Sequence, residues 1–99
     1  MDTLAERIAW IRDGSGLRRD ELARAADCSP AQIGHLLSGF RTDPAASQLD
    51  GLARELGVDL DWIAGGRGEP PTVAALRAAG IAFRTRIAEP VEASTGSEG

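Results

Sequence analysis

The chain has no lysine, one cysteine and one histidine among its 99 residues, and each scarcity removes a class of function. Cys28 has no second thiol to pair with, so an internal disulfide and a cysteine-cluster metal site are both excluded. A lone His35 makes no zinc site, and no metal or other cofactor is implied. No nucleophile, base and orienting group fall into a recognisable arrangement, so no catalytic residues are assigned and the chain is not read as an enzyme. No run approaches the roughly 18 apolar residues of a membrane span. The opening Met1-Asp-Thr-Leu-Ala-Glu6 lacks the basic and apolar regions of a secretory signal. The expectation is a cytoplasmic protein in a reducing compartment, without a membrane partner.

What is present fits one small domain. A hydrophobic content of 42% over this length supports a single core with an appendage or tail, and a second full domain is not expected. The net charge of -4 counts against a nucleic-acid ligand, whose affinity rests on neutralised phosphates. The distribution answers part of that objection. Arg18, Arg19, Arg24 and Arg41 against Asp20, Glu21 and Asp27 leave residues 18–41 slightly positive, while six acids against two arginines make residues 43–69 acidic.

Leu4, Ile8 and Ile11 form a helical stripe behind Thr3, with Glu6 in capping-box position, so a first helix is predicted to run to about Asp13 and to break at Gly14-Ser-Gly16. Leu17 re-enters the core. From Arg19 to Leu37 the pattern is two short helices joined by a tight turn, a unit suited to placing one helix against DNA. Leu22, Ala23 and Ala26 line the inside of the first (Arg19 to Ala26), with Ala23 small enough for a steep helix crossing, and Ile33, Leu36 and Leu37 line the second. Asp27 occupies the turn, Ser29 is the N-cap of the second helix and Pro30 its first residue, and Gly39 stops it after Ser38. A fourth helix is expected from about Ala45 to Leu56, with Leu49, Leu52, Ala53 and Leu56 inward. Asp59 caps a fifth through Ala64, with Leu60, Trp62 and Ile63 covering the core.

Several residues have a plain reading. Trp10 and Trp62 fall at helical spacing and read as packing rather than base-stacking groups. Cys28 reads as core filler. Gly65-Gly-Arg-Gly68 is a helix stop, lacking the spacing and preceding strand of a phosphate loop.

Pro70-Pro71 divides this domain, residues 1–69, from an appendage over 70–88. Val73, Leu76, Gly80, Phe83 and Ile87 fit a 3–4 helical repeat that Gly80 would interrupt. The alternative, which the alternation favours, ends a helix at Ala79, uses Gly80 as a left-handed cap and continues Ile81, Phe83, Thr85 and Ile87 as a strand. Ile81, Phe83 and Ile87 would then form an apolar row for dimerisation, pairing with a second chain or folding back on their own domain. Residues 89–99, small and acidic, are expected to be a disordered tail.

The five helices, the Ala23, Ile33 and Leu36 core spacing, and the ending Leu56-Gly-Val-Asp-Leu-Asp-Trp-Ile63 before a glycine-rich stop together resemble the phage repressor and Cro-like helix-turn-helix family, the XRE family, over residues 3–69. The resemblance implies an all-α fold and a transcriptional regulator acting as a homodimer on double-stranded DNA of two-fold symmetry. The third helix would lie in the major groove and the start of the second over the phosphates. On that basis Ala31, Gln32 and His35, on the face away from Ile33 and Leu36, are assigned to base edges. Arg19, Ser29, Arg41 and Thr42 are assigned to phosphates. A bound dimer would exclude RNA polymerase or contact it. Asp27 departs from the glycine usual in the family's turn, and Pro30, Ala31 and Gly34 replace longer polar residues on the reading helix. The competing reading is a protein-interaction module on the same scaffold that does not bind DNA.

Overall fold

A computed structural model describes residues 3–98, with side chains through Ala88, and the secondary structure among these residues is α-helical alone. Thr3 and Glu6 start it. The Glu6 N–H donates to Thr3 Oγ1 and the Thr3 N–H to Glu6 Oε1, each at 3.1 Å, so two of the orphan donors at the head of α1 (Leu4–Ser15) are satisfied reciprocally. Helices α2 (Arg19–Ala26), α3 (Pro30–Ser38), α4 (Ala46–Leu56) and α5 (Leu60–Gly65) follow. Their inward residues Ile8, Ile11, Leu22, Ile33, Leu36, Leu52 and Ile63 are fully buried in one core. Trp62 is buried beside them, whereas Leu60, expected to help cover the core, stays exposed. As the first residue of a short helix capped by Asp59 it faces away from the packed side.

Arg7 and Trp10 tie α1 to distant chain. Buried Arg7 donates through Nε to the Ile63 carbonyl at 2.9 Å and through Nη2 to the Ala64 carbonyl at 3.3 Å, placing a cation on the carbonyls that end α5. The Trp10 indole N–H donates to the Pro71 carbonyl at 2.8 Å and so fixes the segment leading to the last helix.

That last element, α6 (Val73–Glu98), corrects two expectations. Residues 81–87 are helix, not strand, and Gly80 is not a left-handed cap. Its φ is not positive, and it sits buried within the helix. The reason is a close approach: a β-carbon at Gly80 would strike the Ser15 carbonyl, and one at Gly14 would strike Leu76. Glycine here lets two helices touch rather than letting one turn. For the same reason α1 does not break at Gly14 but continues to Ser15, and Gly16 alone takes the left-handed C-cap.

The helical period then separates the row predicted for dimerisation. Leu76 and Phe83 are buried, Ile87 packs at the edge of the same core, and Ile81 points away at 61% exposure. Residues 70–88 thus contribute to the core of the preceding helices, and Phe83 and Ile87 are occupied there. The tail expected over residues 89–99 lies outside the residues whose side chains the structure describes.

Candidate nucleic-acid interface

The interface is built on the turn between α2 and α3. Asp27 holds φ 59° and ψ 51°, the one non-glycine residue with positive φ among those described. Asp tolerates this region better than most side chains. The turn is closed by the Cys28 N–H on the Ala23 carbonyl at 2.9 Å and the Asp27 N–H on the Arg24 carbonyl at 3.3 Å. Cys28 is half-buried against the core, and this burial, with Asp27 adjacent, pushes its thiol pKa up, away from the reactive thiolate.

Beyond the turn, Ser29 Oγ accepts from the Gln32 N–H at 3.2 Å, and Gln32 Oε1 accepts from the Ser29 N–H at 3.0 Å. The cap therefore fixes Gln32 at the head of α3 while leaving its side-chain NH2 without a partner among the described residues. α3 packs on α1 and α2 through Ile33 and Leu36. On its opposite side Ala31 and His35 are exposed and Gln32 is half-exposed.

The arginines fall unequally around this face. Arg19 reaches from the head of α2 across α3 at Gly34, where an added β-carbon would lie 2.9 Å from its Nη1. It makes no ion pair among the described residues. Gly34 thus leaves room for a cation beside the middle of α3. Arg41 is joined to α3 through its backbone, its N–H donating to the His35 carbonyl at 3.1 Å, while its Nε stands 4.0 Å from Asp43. Thr42 is exposed but lines a cleft of about 760 Å³ with Thr3, Arg7, Ser38 and Ala64, on the side of the loop that meets α1. Ala31, Gln32, His35, Ser29, Arg19 and the Arg41 backbone therefore gather on α3, and Thr42 sits apart. No acid occurs between Asp27 and Asp43.

One member of this surface escaped the sequence reading. Phe40, just past the Gly39 cap, is 80% exposed, with its ring 5.0 Å from that of His35 and the planes at 56°. The signal was a large apolar residue after a helix stop that belongs to no helical stripe.

The head of α2 is organised differently. Glu21, nearly buried, accepts from the Arg18 N–H at 2.8 Å and is gripped by Arg84, whose Nε and Nη2 reach its two oxygens at 2.8 Å each. Arg84 also donates to the Gly16 carbonyl at 2.8 Å. The paired guanidinium holds the Glu21 carboxyl at about 2, against an ordinary 4.5. Arg86 similarly reaches the Glu55 carbonyl at 2.8 Å and its carboxylate at 3.1 Å, tying α6 to the end of α4.

The helix-turn-helix family model matches residues 8–63, more than half of the chain and the stretch just described. The chain belongs to the helix-turn-helix family. Within it, the chain is similar to the repressor protein CI of Enterobacteria phage phi80, with 29% identity over 70 residues. That match covers 71% of this chain but 29% of the CI protein, so the chain spans less than a third of its relative's length. No solved structure matches. Membership in this family agrees with the expectation drawn from the α2 and α3 spacing, and the all-α fold agrees with it too.

Proposed function

We propose that the chain is a DNA-binding transcription regulator that acts as a homodimer on an operator with two-fold symmetry, with α3 in the major groove. The observation that carries this reading is the one-sided use of α3. It gives Ile33 and Leu36 to the core and keeps Ala31, Gln32 and His35 outside, on an acid-free stretch beside unpaired Arg19. Gln32 offers its amide to adenine, Ala31 its methyl to thymine and His35 its imidazole to a purine edge. Arg19, Ser29 and Arg41 take phosphates flanking α3 and Thr42, set apart at the cleft beside α1, takes one farther along the backbone, and the paired Asp43 makes Arg41 a weaker contributor than Arg19. The name of the phage relative, a repressor, supports the regulatory role. A bound dimer would act by occupancy, excluding RNA polymerase or contacting it.

Pairing follows from how few polar side chains one α3 offers. Two copies would set two reading helices about 34 Å apart, one helical turn, and combine two weak contacts into one stronger complex. With Phe83 and Ile87 occupied, the pairing row is Ile81 with Val73 and Ala78 on the outer side of α6.

Selection of duplexes from a random pool tests the reading. The expected result is an inverted repeat whose half-site centres lie one turn apart. A single asymmetric motif would remove the dimer, and a pool retained without sequence preference or not at all would remove the operator reading.

A further inference from the structure

We infer that Phe40 is a specificity residue that reads a thymine 5-methyl group; the inference rests on the DNA reading above. Its ring is 80% exposed in a chain that buries most of its large apolar side chains. It is held in place on both sides. The Phe40 N–H donates to Ser38 Oγ at 3.3 Å, the next N–H, that of Arg41, donates to the His35 carbonyl at 3.1 Å, and the ring lies against the His35 imidazole. Phe40 and His35 therefore form one surface, and whatever faces His35 meets the Phe40 ring about 5 Å away.

The chemistry narrows what that ring can meet. Phenylalanine has no donor for a phosphate, and placing it against charged oxygens would strip their water without replacing it. The apolar group on a major-groove edge is the thymine methyl. Ala31 and Ser38 are separated by about 10 Å of helix, so the thymine met by Phe40 is distinct from the one met by Ala31.

The test replaces each thymine of the strongest selected duplex by deoxyuridine, which removes the methyl and nothing else. Affinity is then measured for the full chain and for Phe40→Ala. The wild type is expected to lose about fourfold, the effect of one buried methyl, at a Phe40 thymine in each half-site. Phe40→Ala, which removes the contact from both subunits of the dimer, should bind the thymine duplex about sixteenfold more weakly and show no further loss at either Phe40 thymine, while remaining sensitive at the Ala31 thymine. Phe40→Leu should restore the sensitivity. Circular dichroism monitors folding, which this exposed position does not govern. If Phe40→Ala keeps the wild-type pattern at every thymine, or weakens all sequences alike, the inference falls and the DNA reading stands. If the wild type retains no duplex in the selection, both fall.

Discussion

Helices α2 and α3 begin with the same device and use it in opposite ways. In each, the third residue reaches back to the N–H of the cap: Glu21 to Arg18 and Gln32 to Ser29. Glu21 is charged, nearly buried and held by Arg84 from α6, so it fastens the last helix to the motif. Gln32 is neutral and half-exposed, and among the described residues its amide hydrogens have no partner. An acid at the head of α3 would cap as well or better, because the helix dipole favours negative charge there. Its absence is informative. On the proposed DNA reading, a carboxylate at the head of α3 would repel phosphates, whereas at the head of α2 the charged cap serves the fold.

Breaking the α2 side should have the largest effect. Glu21→Ala removes the cap on the Arg18 N–H and unpairs Arg84, and it should destabilise the chain by about 2 to 3 kcal/mol in urea denaturation. DNA affinity at temperatures where the variant is folded should be nearly unchanged, since Glu21 is not on the α3 face.

Acid should weaken the same contact more gently. Because folding lowers the Glu21 carboxyl from 4.5 to about 2, its contribution is complete above pH 4.5 and is lost as the pH falls toward 2. The loss attributable to this residue should be about 1 to 2 kcal/mol, reduced by the solvent that reaches half-exposed Arg84. Stability profiles of wild type and Glu21→Gln should converge over that window. Parallel profiles would show that the pair carries no such linkage.

The α3 side should respond in binding rather than stability. Arg19→Ala should weaken all duplexes alike and lower the salt slope by about one unit. Arg41→Ala should do less, because Asp43 already offsets its charge. If removing both leaves the salt dependence intact, the docking face is misplaced.

The comparison also explains which parts of the molecule were legible in the sequence. The spans of α2 and α3, the caps at Thr3 and Ser29 and the left-handed Asp27 follow from local rules, which need only neighbouring residues. The course of α6 does not. Leu76, Gly80, Phe83 and Ile87 spell a helical face, but Gly80 reads as a stop until Ser15 of α1 is known to lie against it. The Arg84 clamp on Glu21 joins residues 63 apart, and no spacing rule reports such a pair. The outward face of α3 was legible because its inward residues were. The position of Phe40 was not, because it depends on a loop conformation that brings it back onto His35.

Gln32→Glu tests most directly whether the head of α3, beyond capping its helix, faces an external polyanion. This substitution keeps the cap acceptor and adds one negative charge. Stability measured by denaturation should stay within about 0.5 kcal/mol of wild type or rise slightly, given the dipole. Affinity for the selected duplex should fall tenfold or more, because each of the two half-sites loses the about 1 to 3 kcal/mol expected when an adenine contact is removed. Unchanged affinity, or a loss of affinity matched by a loss of stability, would contradict the account.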